Sequence, residues 1–453
     1  MFERIKKQIK TDWDRFLTSY WIDRKPFYTP VDSQWSQESI HLSFILFVIA
    51  VLTLFFSPNP PDDLLRHIHA WQYQYDYRKM FDGYPFAFNS WYLFDVAVGS
   101  LYQQFGNFSI KLVQLMSVML FSIAMLLNLK DVHLDWKKLI LLFALWLIAP
   151  RLLLARPTVF EMGLMFLAIG LAQYTFKPWV DKLIHLTVGL VIASFYHLFF
   201  IYLIPLILWR KIYILPLIIG VACWQILTDG AYFYAVFDIL NFGALRIEGV
   251  KVSENLFALP LAILLLGALL LFSIRSVRDE KNWLLTFAWF SLPMQLRYVI
   301  DNLMPITLIL LAKAWRIRPH PFWLLFALVL VKFSLGGAGF YFKHSDEAKT
   351  YFSQNEHILA DGLGANFWVV HHGANQQVKV APAMEIGFAK PEIQQMSVEQ
   401  KVTCELLWSN HFDTFVEKTA ISLPLPCLKL KMASPEGYKI WQVLPVSGAE
   451  YHD

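Results

Sequence analysis

The chain has 453 residues, of which 57% are hydrophobic and only 16% are charged, and its mean hydropathy is +0.44. Soluble domains carry about a quarter charged residues, so this composition excludes an ordinary soluble enzyme and is typical of a protein surrounded mostly by lipid. The formal net charge of +4 is too small to indicate a nucleic-acid partner.

Residues 1–39 are mostly polar and contain several lysines and arginines. The first apolar run begins only near residue 40, so no cleavable signal pattern opens the chain. Basic residues that precede a first membrane span stay on the cytoplasmic side. The sequence therefore predicts a cytoplasmic basic segment at 1–39, followed by an uncleaved first helix.

A transmembrane domain is predicted between residues 40 and 340. Its apolar segments lie at roughly 40–56, 108–128, 138–154, 158–176, 183–196, 197–209, 212–228, 255–274, 282–298, 303–315 and 322–340. Several are shorter than the roughly 20 residues that a straight spanning helix needs. The pair at 183–209 is either two short helices or one long span. Counting it as two gives about eleven transmembrane helices.

The charges of the connecting loops support this count. Lysines and arginines occupy alternate loops, as the positive-inside rule requires of cytoplasmic loops. These basic loops lie at 130–138, 177–182, 210–211, 275–281 and 316–318. An odd number of spans places the residues after 340 outside. We therefore predict a polytopic α-helical protein of the bacterial cytoplasmic (inner) membrane, with its C-terminal domain in the periplasm.

Two long segments, at 57–107 and 229–254, are predicted on the outer face. The first is interpreted as interfacial helices plus a loop, because its apolar residues recur at helical spacing. On the opposite helical face, Asp63, Arg66 and His67 fall together. The second has the length of a flexible loop over a site.

Residues 341–453 are predicted to form a soluble α/β domain. Strand-like and helix-like runs alternate there. The strand-like runs lie at 366–370, 377–380 and 438–443, and the helix-like runs at 346–359 and 411–421.

Two pairs of residues in this domain carry further predictions. A disulfide between Cys404 and Cys427 requires an oxidising compartment, which agrees with a periplasmic location. His371 and His372 have no third or fourth ligand at suitable spacing, so we interpret them as surface residues and not as a metal site.

The chemistry-bearing motif follows the first apolar run. Asp62 and Asp63 come directly after Pro60 and Pro61, and acids in a first helical turn can simply cap the helix. Two acids with His67 one turn after Asp63 favour a functional site. A carboxylate near the outer membrane face can act as a general base toward a hydroxyl, or position a metal or a sugar.

Arginines are also frequent on the predicted outer side, where the positive-inside rule depletes them. Each one alone has a structural explanation, such as snorkelling to the headgroups or pairing with Glu161 or Asp301. Together they indicate an anionic ligand, and the guanidinium fork suits a phosphate. The set includes Arg66, Arg151, Arg156 and Arg297, with Arg151 and Arg156 in a turn bracketed by Pro150 and Pro157.

The order of these features resembles the GT-C superfamily of membrane glycosyltransferases, which use polyprenyl-phosphate-linked sugars. The run Pro61-Asp62-Asp63-Leu64-Leu65-Arg66 resembles the acidic motif of the first outer loop in that superfamily. An Arg-Pro turn and a late Arg-Tyr, Arg297-Tyr298, follow in the expected order. The resemblance covers about residues 40–340.

The resemblance implies a reaction and roles for the candidate residues. Asp63, or else Asp62, would deprotonate a hydroxyl acceptor on a glycan, lipid or protein, at the outer face of the membrane. Arg151, Arg156 and Arg297 would hold the leaving phosphate. Further candidate substrate-binding residues are Arg66, His67, Glu161, His197 and Tyr298. A divalent cation is used by some members only, so the need for one stays open.

Three other functions remain compatible with the sequence. A transporter or flippase for an anionic lipid or solute would use the same arginines, with charges inside the membrane such as Glu161 or Lys332. A surface-polysaccharide ligase or polymerase also has outer arginines, but typically lacks an early Asp-Asp. A scaffold without enzymatic activity leaves the acidic motif unexplained.

Overall fold

A computed structural model describes most of the chain and shows helices together with one small sheet. The described residues are 31–56, 64–81, 91–234, 236, 280–291, 302–314, 345–355, 357–373, 378–381, 392–393, 395–396, 401–418 and 425–445.

The first part of the chain is helical throughout its described residues. Its helices are α1 (Val31–Phe56), α2 (Leu64–His69), α3 (Tyr77–Met80), α4 (Tyr92–Phe105), α5 (Phe108–Asn128), α6 (Leu134–Leu154), α7 (Pro157–Ala172), α8 (Pro178–Phe195), α9 (Phe200–Ile207), α10 (Ile214–Leu227), α11 (Glu280–Ser291) and α12 (Met304–Ala314). Short 3-10 turns at Ala70–Tyr73 and Lys211–Tyr213 extend α2 and precede α10.

Three described helices are long and apolar enough to cross a membrane: Glu38–Phe55 within α1, Phe108–Asn128 and Pro178–Phe195. Two further apolar helices, Pro157–Ala172 and Lys211–Leu227, are shorter. Large apolar side chains such as Phe44 on α1 and Ile218 on α10 are exposed, as expected where a helix faces lipid. The described part of the chain thus has the character of a membrane protein, while the predicted total of eleven spans stays a prediction.

The segment 183–209 lies in two helices and not in one long span: α8 has 18 residues and α9 has 8. Helix α8 ends at Phe195, and Tyr196 is extended, with φ −154° and ψ 141°. The chain then turns through residues 197–199 into α9. Because an extended residue cannot continue the helical hydrogen-bond ladder, helix α8 ends here.

Helix α7 is buried along most of its length and packs against α5, α8 and α9. Its 16 residues span about 24 Å, which is less than the thickness of a bilayer core. Two glycines bring α5 close: a Cβ added at Gly170 would lie 2.7 Å from the Cβ of Leu127, and one added at Gly163 would lie 2.9 Å from the Cγ of Leu120. Small residues at such a seam let two backbones approach.

Gly170→Ala is expected to destabilise the protein by about 1–3 kcal/mol through overpacking. The clashing atom is the Cβ of Leu127, which cannot move without its helix, so a second change of Leu127 to alanine should leave the loss in place. Gly163→Ala is the matched control, because its nearest atoms are Cγ and Cδ2 of Leu120. There Leu120→Ala should restore the midpoint of thermal unfolding. Equal rescue at both positions would contradict this view of the seam.

Three cationic side chains, each from the end of a different predicted span, donate hydrogen bonds at the C-terminal end of α7. The Nζ of Lys130 donates to the carbonyl oxygen of Gln173, and Nη2 of Arg210 donates to that of Ala172 at 2.7 Å. Lys313 donates to Oε1 of Gln173 at 2.6 Å. Cations stabilise the negative end of a helix. The three cations thus lie at one end of α7, while the predicted alternation of basic loops stays a prediction.

After residue 344 the described chain forms a five-stranded sheet with three helices. The elements are α13 (Asp346–Phe352), β1 (His357–Ala360), α14 (Gly362–Gly373), β2 (Lys379–Ala381), α15 (Cys404–Ser409), β3 (Thr414–Glu417), β4 (Leu428–Ala433) and β5 (Lys439–Val443). The strand order is β2-β1-β3-β5-β4. Strand β1 is parallel to β2 and β3, whereas β5 pairs antiparallel with β3 and β4.

Two predictions in this region are wrong. Residues 366–370 lie inside helix α14 and not in a strand, and the helix-like run at 411–421 contains strand β3. A short apolar run does not reveal its periodicity. Helix α14 forms the crossover between the parallel strands β1 and β2, a connection that usually contains a helix. The strands predicted near 377–380 and 438–443 are confirmed as β2 and β5, and the run at 346–359 divides into α13 and β1.

The predicted disulfide is confirmed. Cys404, the first residue of α15, is bonded to Cys427, next to the start of β4, with 5.8 Å between the Cα atoms. The bond ties the helix to the edge of the sheet on the side away from α14.

The sheet region packs directly against the segment around α2 and α3. The hydroxyl of Tyr73 donates to the carbonyl oxygen of Val378 at 3.0 Å, and Phe81 pairs with Val380 as a parallel bridge. Helix α14 covers α2 on this side. The loop and the C-terminal region are thus in contact, while the boundaries predicted at 40, 340 and 341 stay predictions.

The start of the predicted outer segment contains the short helix α2, and its interfacial position stays a prediction. Every residue of α2, including Arg66 and His67, is buried. Helical periodicity predicts an apolar and a polar face, but it does not show that α14 and α4 enclose both. The helix also ends early, since Gln74 and Tyr75 adopt positive φ angles of 57° and 58°.

Candidate functional site

Four of the predicted site residues, Asp62, Asp63, Arg297 and Tyr298, lie outside the described residues. The other six are described: Arg66, His67, Arg151, Arg156, Glu161 and His197. They define a site around the N-terminal end of α7.

The Arg66 guanidinium lies over an aromatic face inside the protein. Its Cζ is 4.3 Å from the ring centroid of Trp91 and 5.6 Å from that of Tyr77. Trp91 stacks parallel to Tyr196, with 5.6 Å between the centroids. A desolvated arginine on a tryptophan ring is held by cation–π attraction, worth about 2 kcal/mol. The side chain predicted to meet a substrate is therefore fixed in place by its neighbours.

His67 belongs to a fully buried polar group. Its Nδ1 contacts Oδ1 of Asp95, and the hydroxyl of Tyr77 donates to Oδ2 of the same carboxylate at 2.9 Å. Both His67 and Asp95 have no exposed surface. A carboxylate at Nδ1 fixes the orientation of the ring and, in the neutral imidazole, places the proton on Nδ1 and the lone pair on Nε2.

Sequence reasoning missed Asp95, Tyr77 and Trp91. The available signal was Asp95 itself, because it is the single acid in the apolar helix α4. Its partner His67 is 28 residues away in sequence. No local pattern joins the two, so only the packing of α2 against α4 reveals the pair.

His197 enters the same group from the turn between α8 and α9. Its ring is 6.0 Å from that of Trp91 and 4.4 Å from that of Tyr196, both edge to face. Its carbonyl oxygen accepts a hydrogen bond from the hydroxyl of Tyr232 at 2.6 Å. The structure thus brings Arg66, His67 and His197 together around one tryptophan.

Glu161 is the most unusual residue of the site. It lies in the second turn of α7, it is completely buried, and neither carboxylate oxygen has a hydrogen-bond partner among the described residues. Thr158, one turn earlier, has an equally unpartnered hydroxyl. The pKa of Tyr232 is raised mainly by burial and also by the charge of Glu161. Because the Tyr232 hydroxyl bonds to His197, Glu161 lies near His197. A completely buried acid without a hydrogen-bond partner is costly, and such residues are often functional.

Arg151 lies in the last turn of α6, and Arg156 lies in the turn that leads into α7. Helix α6 continues through Pro150 to Leu154, so the turn lies only at Ala155 and Arg156 and is not bracketed by two prolines as predicted. Ala155 is left-handed, with φ 48°. Pro157 occupies the first helical position, which suits its missing N–H. Arg156 therefore stands at the positive end of α7, where an anion is favoured.

The described residues contain no group of three or more His, Cys, Asp or Glu side chains that could hold a metal ion. His371 and His372 are not surface residues, contrary to the prediction. His372 is buried in α14, and Nδ1 of half-buried His371 lies 3.4 Å from Nε2 of His69 in α2. The histidines belong to the contact between the sheet region and the site segment.

The buried His69 makes this contact sensitive to acid. Burial lowers the pKa of its imidazole from 6.5 to about 4, opposed by the hydrogen bond to Gln72 and assisted by the charges of Lys349 and His372. Below pH 6.5 the unfolded chain therefore takes up a proton that the folded protein refuses until about pH 4.

Stability should consequently fall as the pH is lowered from 6.5 to 4, and this one residue should account for about 3 kcal/mol of the loss. The measurement is the midpoint of thermal unfolding in detergent across this range. His69→Asn retains a donor toward Gln72 but does not titrate, so its midpoint should fall less steeply. Identical slopes for the two proteins would show that His69 is not responsible.

No protein-family model matches the chain, and no curated protein matches it. Its function therefore has to be inferred from its own residues and motifs.

Proposed function

We propose that the protein is a membrane glycosyltransferase of the GT-C type, which moves a sugar from a polyprenyl-phosphate donor to a hydroxyl of a glycan, lipid or protein. The observation that carries the proposal is the convergence of Arg66 and His67 with His197 and Glu161 at the N-terminal end of α7. Polar side chains from three separate parts of the sequence are buried there. The first of these parts, with Arg66 and His67, directly follows the acidic motif.

The chemistry needs one base and a stabilised leaving group. Asp63 or Asp62 takes the proton of the acceptor hydroxyl as its oxygen bonds to the anomeric carbon. The bond from that carbon to the phosphate oxygen breaks, and the electron pair leaves with the polyprenyl phosphate. Arg156, beside the positive end of α7, stabilises the growing phosphate charge, with Arg151 and Arg297 as further candidates.

The proposed arrangement has eleven spans, a cytoplasmic N-terminus and a periplasmic C-terminal domain in the bacterial inner membrane. The contact of α2 with α14 supports it, because the first outer loop and the residues after the last span then face the same compartment. The Cys404–Cys427 disulfide fits an oxidising periplasm. A lipid-linked sugar can be flipped to that face, whereas sugar nucleotides are not expected there.

The proposal is tested by comparing cells with and without the gene. Mass spectrometry of lipid-linked sugars and of surface glycans should show one accumulating donor and one missing glycan. The full-length protein in lipid nanodiscs should then release undecaprenyl phosphate from that donor. Unchanged lipid-linked sugars, together with no turnover in the nanodiscs, would overturn the proposal.

A transporter is the second candidate, favoured by the unpartnered Glu161 inside an apolar helix. Intramembrane acids of this kind serve as proton or ion sites in transporters. Movement of an intact lipid-linked sugar across proteoliposomes, without release of the lipid phosphate, would support this alternative over sugar transfer.

A further inference from the structure

Two side chains on one face of α7 have hydrogen-bonding groups without a partner among the residues that the structure describes. Thr158 and Glu161 are three residues apart, so they point the same way from the helix. Both are more than nine-tenths buried, at 8% and 0% exposure. The Thr158 hydroxyl and both Glu161 oxygens have no partner within the described chain. We call this pair the α7 polar face.

Other helical threonines in this protein show how the hydroxyl is normally satisfied. Thr53, Thr286 and Thr307 each donate to the carbonyl oxygen four residues earlier. Thr158 is the second residue of α7 and has no such carbonyl in its own helix. Its own carbonyl oxygen is bonded to the hydroxyl of Tyr202 at 3.2 Å, so the backbone is satisfied while the hydroxyl is not.

An unpaired buried polar group costs free energy, and three such atoms on one face need an explanation. The face adjoins apolar surroundings, since Phe160 packs against Phe94 with 5.4 Å between ring centroids. A ligand with several hydroxyl groups would supply hydrogen-bond partners for these oxygens. A purely apolar ligand would leave the oxygens unsatisfied.

We propose that the α7 polar face is the subsite for the sugar of the donor, with the Glu161 carboxyl and the Thr158 hydroxyl binding sugar hydroxyl groups. This inference rests on the proposed function and adds which part of the donor lies where. Glu161 has two oxygens, which matches two neighbouring hydroxyl groups on one ring.

The spacing along α7 suits the two parts of such a donor. Arg156 precedes the helix and Glu161 follows five residues later, which is about 7.5 Å along the axis. A phosphate at the positive helix end and a sugar ring one to two turns further in would therefore occupy consecutive positions. Arg156 contacts the charge that every polyprenyl phosphate carries, and the α7 polar face distinguishes a lipid that bears a sugar from one that does not.

The experiment uses the full-length protein in lipid nanodiscs and compares binding of undecaprenyl-phosphate hexoses with binding of undecaprenyl phosphate alone. Wild type should prefer the sugar-bearing lipid. Thr158→Val and Glu161→Met each remove the hydrogen-bonding atoms and should each reduce that preference about tenfold, as the loss of a hydrogen bond does. Binding of undecaprenyl phosphate itself should stay unchanged. Thr158→Ser keeps the hydroxyl and should behave as wild type.

The thermal unfolding of the ligand-free variants supplies a second readout. Because the Thr158 hydroxyl makes no hydrogen bond to any described part of the chain, Thr158→Val should not lower the unfolding midpoint. A variant as stable as wild type that binds the donor more weakly places the hydroxyl in the sugar subsite. A fall in stability together with unchanged preference would assign it a structural role and overturn the inference.

The outcomes also separate this inference from the proposed function. If wild type releases undecaprenyl phosphate from a hexose donor and both variants retain the wild-type preference, the subsite is wrong and the glycosyltransferase stands. If wild type neither turns over nor prefers any sugar-bearing lipid, the proposed function fails, and the subsite fails with it.

Discussion

Replacing Asp95 with alanine is expected to destabilise the protein by about 3–5 kcal/mol. The carboxylate is completely buried and accepts from the hydroxyl of Tyr77 while contacting Nδ1 of His67. Removing it leaves two buried groups without their acceptor and opens a small cavity between α2 and α4. The loss should appear as a lower midpoint in thermal or denaturant unfolding of the detergent-solubilised protein.

Asp95→Asn is the matched control. Asparagine has the same shape, its oxygen can accept from His67, and the Tyr77 hydroxyl can accept from its amide group. The charge alone is removed, so the destabilisation should be much smaller than with alanine. Equal stability of the alanine variant and wild type would show that the pair between α2 and α4 does not hold the site together.

The asparagine variant also tests a role in the proposed reaction. Asp95 acts through His67, so it is a positioning residue. Groups that orient a functional side chain in this way typically affect activity by roughly 10–100-fold. Sugar transfer should fall by that amount at nearly normal stability, because the amide does not orient the ring of His67 as the carboxylate does. Tyr77→Phe, which removes one hydrogen bond to the same carboxylate, should have a smaller effect in the same direction.

The helices of this protein could be predicted far better from the sequence than its site. The apolar segment at 108–128 coincides with α5, because both its ends carry clear polar breaks. Even the division near residue 197 was one of the two predicted arrangements. Such features are local, and local periodicity and charge determine them.

The site could be predicted only in part, because its partners come from distant segments. Arg66 and His67 were identified by their unusual polarity after an apolar run, but their contacts with Trp91 and Asp95 depend on how α4 packs. The burial of α2 depends on α14, which lies roughly 300 residues further along the chain, as the 302-residue separation between His69 and His371 shows. No window of sequence contains both.

The two ends of helix α7 have different partners. Its C-terminal end binds cations from two loops and from the last turn of α12, while its N-terminal end carries Glu161 near Tyr232, whose hydroxyl bonds to His197. Because the helix is short, groups at its N-terminal end are buried in protein and not displayed at the surface. In the sequence, the acidic motif directly precedes α2, which carries Arg66 and His67.

Asp63→Asn is accordingly expected to reduce sugar transfer by roughly 10²–10⁴-fold, the usual contribution of a positioned general base. Asp63 immediately precedes Leu64, the first residue of α2, and it stands three and four residues before Arg66 and His67. Because helical periodicity of the sequence would place these three residues on one face, Asp63 is the first candidate for the base. Asp62→Asn is the matched control, since it makes the same change one residue earlier and should retain most activity. Transfer is measured as release of undecaprenyl phosphate in nanodiscs at equal protein level. Loss of activity only in the Asp62 variant would move the base to that residue, and full activity in both would mean that neither aspartate takes the proton.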